Sequence, residues 1–215
     1  MRTKVIKTDS LKYRLAGSLL ALLWLVSGCE LAGLKVQEDY QYQQKVLDPK
    51  INQTVQEFLT VRTDTLLSLM AEAIQYAGID PGEYRQPNRT FLLLHNRAIL
   101  RYDNKGAVDK NCFFGKNTVN GKPGTKWQDY PVEQVRNLLL YHMIEGEYSF
   151  ENLGTENATV STLLVGKTVT MKLSNDRDSK IRINDFFNSP KIVIPVTSGI
   201  KATNGTVHIV DNYLE

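Results

Sequence analysis

The chain has 215 residues, room for one compact domain of about 150 residues with appendages. Its 42% hydrophobic and 23% charged residues are ordinary for a soluble globular domain. The formal charge of +3 reflects 26 basic against 23 acidic residues, but five of the bases and one acid lie in residues 1–28, so residues 29–215 carry 21 against 22, a charge of −1. That balance removes the electrostatic motive for nucleic-acid binding.

Arg2, Lys4, Lys7, Lys12 and Arg14 precede the apolar run "LAGSLLALLWLV", residues 15–26. As a helix that run rises only about 18 Å, short of a bilayer core of about 30 Å. It reads as the apolar core of a signal peptide spanning residues 1–28. The next stretch, "LVSGCE" at 25–30, resembles the lipobox of bacterial lipoproteins. The resemblance implies cleavage before Cys29, acylation of Cys29 and attachment to a membrane. Several acyl chains on one residue anchor stably where a single chain does not. With Cys29 acylated, Cys112 is the one remaining thiol and no intramolecular disulfide can form. Residues 29–50 are polar and glutamine-rich and read as a lipid-anchored tether leading to a domain at 51–215.

From Ile51 to Ile79 the apolar residues fall at helical spacing: Val55, Phe58 and Leu59, then Leu66, Leu67, Met70, Ala71, Ile74 and Ala77. Gly78 suits a helix C-terminus, and Pro81 prevents the helix from resuming. Thr90 to Leu94, in "TFLLLHNRAILRY", reads as a buried strand. Residues 103–131 break the pattern with four glycines and two prolines, and Pro131 then opens the helix "PVEQVRNLLLYHMI". Strand-like text follows in "STLLVGKTVTMKL", "KIRIN", "KIVIPV" and "GTVHIVDNYL". Asn204-Gly205 carries the signature of a type I′ hairpin turn, and Val207 and Ile209 mark one face of a closing strand that should pair near residues 190–196. Helices first and strands later predict an α+β fold.

Three stretches resemble a fasciclin domain, in that family's order: "TFLLLHNRAI" (90–99), "LLLYHMIEGEYS" (138–149) and "GIKATNGTVHIVDNYL" (199–214). "TLLVGKTVTMKL" also fits the family's short strand with Gly-Lys. The resemblance covers roughly residues 51–214 and implies helices of the first half packed on a twisted β-sandwich or wedge. Leu94, His95 and Gly199 depart from the family's usual residues. Together with the lipobox, it identifies the chain as a bacterial, Bacteroidota-like fasciclin-domain lipoprotein held to the envelope, with the outer membrane as its expected location. The implied function is adhesion or binding without catalysis, with a glycan or a protein as partner. An accessory lipoprotein of an outer-membrane polysaccharide-capture complex and a purely structural envelope protein are the rival readings.

The residues themselves offer little chemistry beyond binding. "VGKT" at 165–168 lacks the glycine that a phosphate loop needs five residues before Gly166, where Ser161 stands. His95, His142 and His208 have no second ligand at metal spacing, no nucleophile elbow is present, and no cofactor is expected. Tyr141-His142 corresponds to a pair that the fasciclin resemblance associates with adhesion; an aromatic and an imidazole at a helix end are equally read as packed polar groups. Residues 103–131 mix Phe113, Phe114, Trp127 and Tyr130 with Lys122, Lys126 and further lysines. That mixture suits a sugar face or an acidic partner. The other reading is a hairpin that covers the core with its aromatics. Asp64-Thr65-Leu66 resembles an O-glycan acceptor but equally suits a local cap.

The lipidation reading has a direct test. Cys29→Ala should move the protein to the soluble fraction and remove its acyl mass; partition with membranes like the parent would assign anchoring to another cause.

Overall fold

The computed structural model describes residues 50–62 and 66–215. The signal peptide, Cys29, the tether up to residue 49 and the Asp64-Thr65 pair lie outside the described residues.

The helical half begins with a capping box. Thr54 Oγ1 accepts from the Glu57 amide at 3.2 Å, and the Thr54 amide donates to the Glu57 carboxylate at 2.7 Å. Helix α1 (Val55–Val61) buries Val55, Phe58 and Leu59. Helix α2 (Ser68–Ala77) buries Met70, Ala73 and Ala77 and ends at Gly78, whose φ of 61° is the left-handed conformation that favours glycine. The stretch that spacing joined into one helical region is therefore two helices. Pro81 opens a 3-10 turn, Pro81–Arg85. After strand β1 (Arg89–Leu94), the short helix α3 (Asn96–Ile99) is capped by His95, whose Nδ1 accepts from the Arg97 amide at 3.0 Å.

Residues 100–131 hold a four-residue helix α4 (Phe113–Lys116), a two-stranded ribbon of β2 (Thr118–Val119) and β3 (Lys122–Pro123), and a 3-10 turn at Trp127–Asp129. Asn120 and Gly121 take φ of 51° and 77° at the tip of that ribbon, the pair of positive values that a type I′ hairpin requires. Helix α5 (Val132–Tyr141) follows Pro131 and packs on α2, where Arg136 Nη2 donates to the Ala77 carbonyl at 2.7 Å.

One sheet has the order β4-β1-β9-β8, with β4 at Met143–Glu145, β8 at Thr197–Ala202 and β9 at Gly205–Val210. β9 runs parallel to β1, from Arg89↔Gly205 to Leu94↔Val210, and antiparallel to β8. All six of its residues are buried. A second antiparallel sheet, β5-β6-β7, comprises Ala158–Ser161, Thr168–Leu173 and Ile181–Ile183. Isolated bridges, Ile144↔Thr162 and Ile183↔Val193, connect it to its surroundings.

Three expectations are corrected here. The closing strand pairs with Thr197–Ala202 and with β1, and of the 190–196 stretch only Val196 bonds to it, donating to the Ile209 carbonyl at 2.8 Å. "KIVIPV" forms no regular strand: Val193 alone is buried and bridged, while Ile192 and Ile194, between Pro190 and Pro195, and Val196 after them are exposed, and the prolines lack the N–H a ladder needs. Asn204 is not in a type I′ turn either, since neither it nor Thr203 has a positive φ. Its value is its side chain. Oδ1 accepts from the Val55 amide at 2.8 Å, and Nδ2 donates to the Tyr84 and Gln86 carbonyls at 3.0 and 3.1 Å.

That buried stitch holds the start of α1 and the 81–85 turn to the β8–β9 hairpin. Asn204→Ala leaves its partners unsatisfied, so urea denaturation should show a loss of about 2–4 kcal/mol. A loss below about 0.5 kcal/mol, the size of an ordinary surface substitution, would show that the carboxamide contributes nothing to holding these elements together.

Candidate functional site

The four aromatics of residues 103–131 turn inward. Phe114 stacks on Tyr130 with centroids 5.3 Å apart and meets Trp127 edge-on at 4.9 Å; Phe113 lies 5.3 Å from Tyr130. Their polar atoms are engaged inside: Trp127 Nε1 donates to the Leu69 carbonyl at 2.7 Å, and Tyr130 Oη accepts from the Gly124 amide at 3.2 Å. Exposure of Phe113, Phe114, Trp127 and Tyr130 is 3% or less, so they form no exposed aromatic face, and Phe113 contributes only to the lining of a groove. The expectation of an aromatic binding surface is corrected in favour of the core-covering alternative. The physical reason is backbone crowding at Gly115 and Gly124, where a Cβ would collide with the Asp109 carbonyl and the Tyr130 ring. These close approaches draw the turns in and leave Lys122 and Lys126 outside, both exposed.

Tyr141 and His142 diverge. His142 is buried; its Nδ1–H donates to the Leu138 carbonyl at 2.7 Å and its Nε2 accepts from the Leu214 amide at 2.9 Å. Those two partners fix a neutral tautomer. Burial, with Lys191 nearby, lowers its pKa to about 4. His208 is the same device on β9: Nδ1 accepts from the Gly199 amide at 3.0 Å and Nε2–H donates to the Tyr148 carbonyl at 2.9 Å, and burial lowers its pKa to about 4. Tyr141 is half-buried, its hydroxyl 3.4 Å from the Thr168 carbonyl.

Tyr141 lies on the wall of a groove of about 350 Å³. Phe113, Leu138, Leu164 and Leu214 give it an apolar lining, and Lys116, Asn117, Gln134, Asn137, Tyr213 and Glu215 give it polar groups. Helix geometry explains one wall, because Gln134, Asn137, Leu138 and Tyr141 recur at three- and four-residue spacing on α5. Gln134 Nε2 donates to Asn117 Oδ1 at 3.2 Å, and Asn117 Nδ2 to the Phe113 carbonyl at 3.0 Å, which orients both carboxamides. The Asn137 side chain has no hydrogen-bond partner among the described residues. The opposite wall is the C-terminal stretch, held where the Leu214 amide meets His142.

Tyr213 is backed by Lys191, whose ammonium lies 4.0 Å from the ring centroid and 3.3 Å from Glu215 Oε1. Glu215 Oε2 also faces Lys116 Nζ at 3.8 Å. The Tyr213 hydroxyl is buried with no hydrogen-bond partner of its own among the described residues. Burial, and the Glu215 carboxylate beside it, raise its pKa. Spacing on the 132–141 helix could have pointed to Gln134 and Asn137; nothing local in the sequence brings Tyr213 and Glu215 to them.

Other chemistry is sparse. Among the described residues no group of three or more His, Cys, Asp or Glu could hold a metal, and no helix is long and apolar enough to cross a membrane. Cys112 is a buried free thiol that donates to the Asp109 carbonyl at 3.0 Å.

Residues 120–215 match the family model of the fasciclin domain. A solved FAS1 domain pair from the insect cell adhesion molecule fasciclin I is similar at a TM-score of 0.51 and 14% identity, covering 76% of this chain and 51% of that one. The chain thus spans about half the length of that domain pair. No curated protein matches. The fold is that of a fasciclin domain, with mixed α+β content.

The two buried imidazoles make stability depend on pH. Each is lowered from 6.5 to about 4, so the unfolded chain takes up protons that the folded chain does not as pH falls through that window. Stability should be complete above pH 6.5 and fall towards pH 4, by about 3 kcal/mol per histidine at 1.36 kcal/mol per unit. The lowered carboxylates, such as Asp109 and Asp185, act at more acid pH, below 3.8. Urea midpoints measured from pH 7 to pH 4.5 check this, with His208→Gln expected to remove its share of the slope. Stability constant across that range would show that the rings are not held neutral.

Proposed function

We propose that this fasciclin-fold chain is a lipid-anchored, non-catalytic binding module of the cell envelope that captures a glycan in the groove between α5 and the C-terminal residues. The observation that carries the reading is the clustering of three carboxamides, Asn117, Gln134 and Asn137, over an apolar lining of Phe113, Leu138, Leu164 and Leu214. A sugar presents hydroxyls that both donate and accept, beside patches of C–H. Carboxamides do both without carrying charge, and the apolar lining suits the C–H face.

The groove's volume of about 350 Å³ sits near the lower end of small-ligand sites, about 300–1,000 Å³, which suits the end of a chain or one or two of its units. Two of the carboxamides are already oriented by hydrogen bonds within the protein, so less rotamer freedom is lost on binding. Lys116 and Glu215 close one side as an ion pair at 3.8 Å and offer a donor and an acceptor for hydroxyls. Anchoring through Cys29 would hold the site at the membrane surface, and the insect relative, an adhesion molecule, is consistent with a binding role.

A glycan array probed with the parent, with Asn137→Ala and with Tyr141→Ala is the test. The parent should retain a defined set of glycans, and both variants should lose at least tenfold in affinity with folding intact. Lys122→Ala, exposed on the ribbon and outside the groove lining, should bind as the parent does. No retention by the parent, or retention unchanged in both groove variants, would overturn the reading.

A further inference from the structure

Residues 186–196, "FFNSPKIVIPV", keep an unusual amount of apolar surface in water. Phe187 is 91% exposed, and Phe186, Ile192, Ile194 and Val196 are exposed with it. The pair Ile183↔Val193, bonded through both amides, closes a loop, and the Ser189 amide turns its tip by donating to the Phe186 carbonyl at 3.1 Å. On the return limb burial alternates. Lys191, Val193 and Pro195 are half-buried or buried, while Ile192, Ile194 and Val196 are exposed. Such alternation sets the three aliphatic side chains on one side of the chain. A lone exposed apolar residue is ordinary, whereas five within eleven residues mark a surface that meets a partner.

Charge and backbone say which partner. The segment contains no Asp or Glu. Its one charge, Lys191, is turned inward, the ammonium donating to the Asn111 carbonyl at 3.0 Å and to Glu215 Oε1 at 3.3 Å. Asp185, just before the segment, is paired with Arg182 and Lys172 at 2.6 and 3.1 Å. No unpaired ion therefore has to lose its water when these side chains leave solvent. Pro190 and Pro195 lack an N–H, so the segment is a poor template for a strand from a second copy. The chain also enters the domain close by. Lys50 bridges Lys201 of β8, and Val196 leads into Thr197, the first residue of that strand, so about 17 Å of strand separates the two points. Residues 29–49 extend at most about 70 Å. A domain anchored at Cys29 thus meets the bilayer at high effective concentration.

We propose that residues 186–196 dock on the lipid bilayer, with Phe186, Phe187, Ile192, Ile194 and Val196 entering its interfacial layer. The proposal rests on the lipid-anchored reading above. Acyl chains and loop then hold the domain at two points and fix which side of it faces the membrane. A short apolar loop attaches only weakly by itself and needs the second signal, which agrees with the release expected of Cys29→Ala.

The test uses tryptophan reporters in the protein as its producing cell makes it, placed on phosphatidylcholine vesicles with brominated acyl chains. Trp127 is buried and supplies the parental baseline. Emission added by Phe187→Trp should be quenched at least twofold. Val132→Trp, an exposed apolar position on α5, should keep its emission. Ile192→Asp with Ile194→Asp should restore the emission of the Phe187→Trp chain without altering its melting temperature. The proposal is overturned if Phe187→Trp is quenched no more than Val132→Trp. It is equally overturned if Phe187→Trp emission follows protein concentration without lipid, because a second copy would then cover the loop. The acyl mass of the same preparations reads the anchor separately: quenching without it keeps the loop and removes the anchor, and acyl mass without quenching removes the loop alone.

Discussion

Strand β9 is the constraint on which the rest of the structure depends. It is bonded on both edges, parallel to β1 and antiparallel to β8, and buried on both faces. Val207, Ile209 and Val210 supply apolar surface worth roughly 1.5–3 kcal/mol each, against a typical total of 5–15 kcal/mol for a whole domain. Gly205 marks where this strand is tightest, since a Cβ there would collide with the Arg89 carbonyl. The helical half reaches β9 through Asn204, and the candidate groove takes its second wall from the residues just beyond the strand.

A strand buried on both faces must also bury polar groups, and the structure satisfies them one by one. His208 is bonded at both nitrogens, and His142 performs the same task one layer away, joining the end of α5 to Leu214. These bonds need neutral rings and occupy both nitrogens, so the imidazoles stabilise the fold and leave no free lone pair for a metal or a proton transfer. Of the Tyr-His pair, the histidine therefore works for the fold and the tyrosine borders the groove.

Much of this was legible from local pattern. Thr90 to Leu94, the closing strand and the helix after Pro131 all carried strong periodicity and lie where it put them. What was not legible depended on distant partners. Thr206 and His208 alternate with Val207 and Ile209 as if facing water, yet Gly199 and Tyr148 supply the bonds that let His208 be buried. Phe113, Phe114, Trp127 and Tyr130 sit among lysines in sequence, and only the inward turns at Gly115 and Gly124 separate the rings from the charges. The groove was the least legible part. Its two walls lie some 75 residues apart, from Gln134–Tyr141 to Tyr213–Glu215, and no spacing rule connects them. The family model covers residues 120–215 and leaves out "TFLLLHNRAI", the stretch whose Leu94 and His95 depart from the usual pattern. His95 has instead become the cap of a short helix.

The parallel pairing of β1 with β9 joins residues 116 positions apart, Arg89 with Gly205. Loop closure over such a distance must be met before the contact returns anything, so topologies of this kind form slowly. The sheet has an empty central lane until residues 205–210 are in place, and β1 lacks its principal neighbour until then. The four-stranded sheet is therefore completed only when two segments separated by more than a hundred residues meet, and its formation waits on the β9 segment rather than on any local contact of β1.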